Sequence, residues 1–263
     1  MAEKLWFLEK TGKVPKISKA VLIEGLPGIG NVGKISVDFL VEKLKAKKIY
    51  SMFSYTMPHS VFVNEDNLVE LPAIDIYYYR QKNQDFLFLV GDVQPTEEAS
   101  SYSFCETILD LLSEVGCKEI ITTGGIGLHV VPENPQVYTS GNSKGLIEQY
   151  QKKVKVNDKL YGIVGPIVGV SGLLLGLSQK RKMPALTLLA ETYGHPLYIG
   201  IHGAREIVKI LNKYYDFNLD MKAMDKEIAD IEKEIKKAGD MSQVKKDVLR
   251  SKADKIDDVN YIG

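Results

Sequence analysis

Cysteine is scarce in this sequence: Cys105 and Cys117 are the two in 263 residues, and they lie twelve positions apart. They form neither a metal-ligand spacing nor a disulfide framework, and they read as reduced core thiols of a cytoplasmic protein. Net charge is absent as well, because 34 Lys and Arg balance 34 Asp and Glu. A chain with no dominant sign has no whole-molecule electrostatic case for nucleic acid or anionic membranes. The opening Met1-Ala2-Glu3-Lys4 leads into no long apolar core, so it does not read as a signal peptide. One charge-free stretch, Tyr161 to Gln179, raises a membrane question, but Pro166 and five glycines interrupt it. A spanning helix needs about 20 mainly apolar residues. The stretch is expected to be a buried loop running into a buried helix.

What is present is a core. Apolar residues make up 44% of the chain, enough for one large α/β domain carrying a smaller extension. The boundary is expected at 215, because residues 216–263 hold 22 charged positions in 48. Up to that point strand and helix patterns alternate. Strands are expected at Ala20–Ile23, Ile49–Ser54, Val61–Val63, Ile74–Tyr79, Phe86–Val90, Glu119–Thr123 and Ala185–Leu189. Helices are expected after the first strand to Lys45, from Pro95 to Val115 with Thr96 as N-cap and Gly116 as terminator, and over Gly145–Lys152 and Arg205–Tyr214. The alternation predicts a mixed, mostly parallel sheet with flanking helices and an antiparallel meander.

Residues 216–263 are a charged helical extension. Met221, Met224, Ile228, Ile231 and Ile235 recur at three and four, an apolar seam along one helix face. Two heptads are too few for a free-standing coiled coil, so the seam packs either on its own domain or between subunits.

The sharpest local feature is Glu24-Gly25-Leu26-Pro27-Gly28-Ile29-Gly30-Asn31-Val32-Gly33-Lys34, between a strand and a helix. Gly28, Gly30 and Gly33 match the spacing of a dinucleotide fingerprint, in which bare backbone approaches a pyrophosphate at a helix N-terminus. The acid expected about 20 residues later, to bind the ribose hydroxyls, is missing from Ile49–Tyr55, and this counts against NAD. Gly28, Gly33 and Lys34 also nearly spell a P-loop, but Ile35 stands where Ser or Thr would reach magnesium. The alternatives are a small-ligand or phosphate turn and a turn that merely brings strand and helix together.

Asp92, His129, Glu191 and His195 follow strand ends and together would ring one edge of the sheet as acid–base candidates. Gly141-Asn142-Ser143-Lys144-Gly145 matches a nucleophile elbow in spacing, but the polar run before it argues for a solvated turn. No paired Cys or His spacing suggests a metal, and no cofactor is expected.

Several of these stretches together resemble the archaeal proteasome assembly chaperone 2 family. They are Val21 to Gly33, Gly91-Asp92-Val93-Gln94-Pro95, Thr122-Thr123-Gly124-Gly125, Gly165 to Leu174 and Glu191-Thr192-Tyr193-Gly194. The likeness covers about residues 19–215. It implies a fold similar to nucleoside phosphorylases used as a binding scaffold, without catalysis. It also implies a homo-oligomer that assembles or activates the 20S proteasome. Some members carry a C-terminal tail ending hydrophobic-Tyr-any, which docks between α-subunits where its carboxylate meets a lysine. This chain ends Val259-Asn260-Tyr261-Ile262-Gly263, placing Tyr261 third from the end with Asn260 before it. An aromatic anchor, an apolar neighbour and a carboxylate are nonetheless present, so Val259, Tyr261, Ile262 and Gly263 are the expected α-ring contacts. The rival expectation is a small-molecule enzyme using the turn from Gly28 to Lys34.

Overall fold

A computed structural model describes residues 5–160, 165–226, 228–230 and 233. The chain divides into two compact units, Met1–Leu219 and Asp220–Gly263.

The first unit is built in the order β1 (Phe7–Lys10), β2 (Val21–Gly25), α1 (Val32–Lys43), β3 (Lys47–Phe53), β4 (Phe62–Val63), β5 (Val69–Glu70), β6 (Ile74–Gln81) and β7 (Gln84–Gly91). There follow α2 (Glu98–Glu114), β8 (Glu119–Leu128), β9 (Val137–Gly141), α3 (Lys144–Lys153), α4 (Val170–Lys180), β10 (Ala185–Tyr193) and α5 (Ile201–Tyr215). Eight strands form one sheet in the order β1-β3-β6-β7-β2-β8-β10-β9, while β4 and β5 make a separate hairpin. The centre, β7-β2-β8-β10, is parallel. An antiparallel meander, β3-β6-β7, and β1 lie on one side, and antiparallel β9 closes the other. The sheet is therefore mixed, with five of its eight strands pointing one way.

Strand periodicity splits the core in two. Leu22, Leu87, Leu89 and Ile120 face one way and pack with Phe104 and Ile108 of α2 and Leu174 of α4. The alternate residues Val21, Ile23, Phe86, Phe88 and Ile121, also buried, face the layer where α1 packs on α5. Strands covered on both faces read as continuous apolar runs, which is why the parallel centre was recognisable. Trp6 closes one end of the α2 layer: it meets Phe104 edge-on at 4.8 Å and donates Nε1–H to the Ser100 carbonyl at 3.1 Å.

Several local expectations need correction. The N-cap of α2 is Glu97 rather than Thr96, and no side chain caps it. Its far end is as expected, with Gly116 left-handed at φ +62°. Strand β8 does not stop at Thr123 but runs through the glycines to Leu128, and β10 runs on to Tyr193. The run before Ser143, read as polar, is strand β9, with Val137, Tyr138 and Thr139 buried. Both cysteines are free: Cys105 is buried and Cys117 half-buried, its thiol pushed up to about 12 by burial. Among the described residues no helix is long and apolar enough to cross a membrane. In the second unit, residues 221–226, 228–230 and 233 are helical, with Met224 and Ile228 buried and Met221 half-buried. Ile231, Ile235 and the tail residues Val259, Tyr261, Ile262 and Gly263 lie outside the described residues.

Candidate functional site

The glycine turn is built by close approach. After β2 ends at Gly25, a single 3-10 turn, Ile29–Asn31, feeds α1, with Gly30 at φ +62° and Asn31 at φ +51°. A Cβ on Gly33 would stand 2.5 Å from the Thr123 carbonyl oxygen, so α1 rests directly on β8. A Cβ on Gly30 would stand 2.8 Å from Thr192 Oγ1. Gly28 differs: its backbone is extended at φ −162° and a Cβ there would meet nothing within 4 Å. Lys34 Nζ donates to the Gly91 carbonyl at 3.0 Å and pairs with Asp38 at 3.0 Å and Asp92 at 3.6 Å. These bonds tie α1 to the end of β7.

Beside the turn lies a crevice of about 550 Å³, walled by the loop after β2, the glycine run of β8 and residues 165–169. It exists because β2 and β8 differ in length. Their pairing ends at Glu24 opposite Thr122, while β8 continues to Leu128. A crevice outside the carboxyl ends of parallel strands is where α/β sheets bind ligands. Of Gly28, Gly30, Gly33 and Lys34, only Gly28 lines it.

Among the described residues the lining contains one ionisable side chain, Glu24, which is fully buried. Oε1 accepts the Leu26 N–H at 3.0 Å, and Oε2 accepts the Ser171 hydroxyl at 2.9 Å. Burial pushes the carboxyl up to about 7, against those two bonds and a third from the Thr123 backbone, all of which favour the charged form. Sequence reasoning passed over Glu24 as an acid because it stands inside a glycine motif. Its signal was an acid ending an otherwise apolar strand, Val21-Leu22-Ile23.

The four acid–base candidates do not line the crevice. Asp92 accepts the Ala73 N–H at 3.1 Å besides pairing with Lys34. Glu191 accepts the Gln136 N–H at 2.9 Å and the Tyr138 hydroxyl at 3.3 Å. His129 is exposed, and His195 Nδ1 accepts the Leu197 N–H at 3.2 Å. Ser143 of the elbow match is the N-cap of α3, accepting the Leu146 N–H at 3.3 Å.

A second feature is the distribution of exposed large apolar residues. All fifteen found among the described residues lie at the end of the sheet where the parallel strands finish. Ile29 follows β2, and Tyr55 and six residues of the β4–β5 region follow β3. Tyr102 is near the start of α2, Val130 and Val131 follow β8, Val168 precedes α4, and Leu197 and Ile199 follow β10. Phe7 stands opposite Phe53, the last residue of β3. The other end is polar: exposed lysines in left-handed turns, Lys19, Lys45, Lys82 and Lys182, lead into strands β2, β3, β7 and β10.

Comparison with known proteins agrees with this architecture. The structure of the Pyrococcus furiosus archaeal proteasome activator PbaB superposes with a TM-score of 0.79 at 30% identity, covering 90% of this chain and 100% of that one. PbaA from the same organism, a homologue of proteasome-assembly chaperone, gives 0.74 at 24% identity over 94% of this chain and 98% of that one. An uncharacterized protein of Methanocaldococcus jannaschii is 29% identical over 97% of this chain and 96% of its own. Residues 22–238 match the PAC2 family, and the chain belongs to that family.

Proposed function

We propose that this chain is a non-catalytic, oligomeric factor that binds the archaeal 20S proteasome in the cytoplasm, its C-terminal residues Val259, Tyr261, Ile262 and Gly263 docking on the α-ring. Likeness at 30% identity to a proteasome activator supports the partner. The observation that carries the binding role is the one-sided apolar surface. Fifteen large side chains, each 41–89% exposed, stand at this one end of the sheet, and exposed apolar residues gathered on one side mark an interaction surface. Such a surface suits contact with further copies of the chain. The strand-end acids and histidines are held apart, Asp92 by Ala73 and Lys34, Glu191 by Gln136 and Tyr138, His195 by Leu197, with His129 exposed, and they supply no converging acid–base set.

Deleting Tyr261–Gly263 and measuring co-elution with purified archaeal 20S proteasome tests the proposal. Loss of binding with the oligomer intact is the expected result. Equal binding by both forms overturns tail docking, and no binding by the full chain overturns the proteasome partner.

A further inference from the structure

The crevice is not accounted for by a role in proteasome binding. Its polar groups other than Glu24 are largely committed. Gln94 Oε1 accepts the Val170 N–H at 3.3 Å, and its amide donates to the Pro27 carbonyl. Thr123 donates its hydroxyl to the Glu24 backbone carbonyl at 2.8 Å. Glu24 itself is different, because a carboxylate offers about four acceptor positions, and the Leu26 N–H, the Ser171 hydroxyl and the Thr123 backbone leave one open.

No cation faces it among the described residues. Its neighbours are Ser171 from α4, Thr123 from β8, the Leu26 N–H from its own loop, and Cys105 from α2, whose thiol burial holds neutral. Lys34, the nearest basic residue of the motif, is held at Gly91, Asp38 and Asp92 instead. Without a counter-ion this carboxyl is costly to ionise, so a cation that pairs with it would favour the charged form. The remaining walls are apolar side chains such as Leu26, Ile126, Ile167 and Leu189, with bare glycine backbone along β8. Glycine lets a ligand come close to backbone.

We propose that this crevice is a binding site for a flat organic cation whose nitrogen donors pair with the Glu24 carboxylate while its apolar body lies between β8 and residues 165–169. The same chemistry excludes phosphates and nucleotides from the floor of the site, where an anion would meet an acid and no base. The site is independent of the proteasome reading, and either stands if the other fails.

The probe is benzamidine, a flat aryl cation that keeps its charge between pH 6 and pH 8. Titration calorimetry on the full-length protein is compared with benzoate and inorganic phosphate. Saturable benzamidine binding is expected, with none by either anion. Because the cation requires ionised Glu24, affinity should be about tenfold weaker at pH 6 than at pH 8. Glu24→Gln should weaken binding at least ~10-fold at pH 8 and abolish its pH dependence. No saturable binding at millimolar benzamidine, equal binding of benzoate, or unchanged affinity in Glu24→Gln overturns the proposal. If that variant does not fold, the wild-type pH series decides, and a flat profile overturns it.

Discussion

Glu24 and Ser171 are joined by a 2.9 Å hydrogen bond across 147 residues of sequence, linking the end of β2 to the first turn of α4. The bond fastens the glycine turn to the far wall of the crevice. It also fixes the protonation chemistry of the fold, because the carboxyl it holds is fully buried.

The first prediction follows from that burial. The folded-state value of Glu24, about 7, lies above its ordinary 4.5, so the folded protein keeps a proton that the unfolded chain releases in between. The resulting stabilisation is complete below pH 4.5 and is lost as pH rises through 7. Its size is about 3 kcal/mol, from about 1.4 kcal/mol per unit. Urea unfolding at pH 5 and pH 8 should show wild type losing about that much relative to Glu24→Gln. Parallel losses in the two proteins would contradict it.

The glycines of the turn should separate by role. Gly33→Ala places a methyl against backbone oxygen of Thr123, which cannot move aside, and should cost more than ~2 kcal/mol despite the better helix propensity of Ala. Gly28→Ala adds a methyl in open space on extended backbone and should be neutral or stabilising by up to ~1 kcal/mol. Denaturant midpoints of both variants check this, and equal losses would count against the packing account of Gly33.

Lys34 is expected to act as a tie between α1 and β7. Lys34→Met removes its bonds to Gly91, Asp38 and Asp92. Since the groups are about a quarter to two-fifths exposed, the loss should be only about 1 kcal/mol. Benzamidine affinity should not change, and a large loss of affinity would place Lys34 in the site.

The apolar end is tested at the hairpin, where Val63 pairs with Val69 and both are exposed. Val63→Glu with Val69→Glu should lower the mass measured by light scattering while the thermal midpoint of the fold stays nearly constant. An unchanged mass would exclude the hairpin as a contact between copies.

The parallel centre was legible because burial on both faces leaves no polar alternation in β2 or β7. Edge strands gave a weaker signal. β1 carries Glu9 and Lys10 on an exposed edge, and β9 mixes Thr139 and Ser140 into its run, so neither announces itself. Glycine conceals strand continuation in β8, where close contacts with Ile29 and Gly194, rather than side-chain pattern, set the backbone path. The glycine turn was visible as a motif, but the direction of Lys34 was not, since it depends on Asp38 one helical turn away and on Asp92 from a distant loop. Glu24 became a site residue only when α4 brought Ser171 to it.

The proposed role of the chain is to bind a proteasome. Sedimentation of the full-length protein mixed with purified archaeal 20S proteasome tests it most directly. A complex sedimenting faster than the proteasome alone, and lost when Tyr261–Gly263 is removed, is the predicted result. Unchanged sedimentation of the proteasome at saturating concentrations of the full chain would contradict the account.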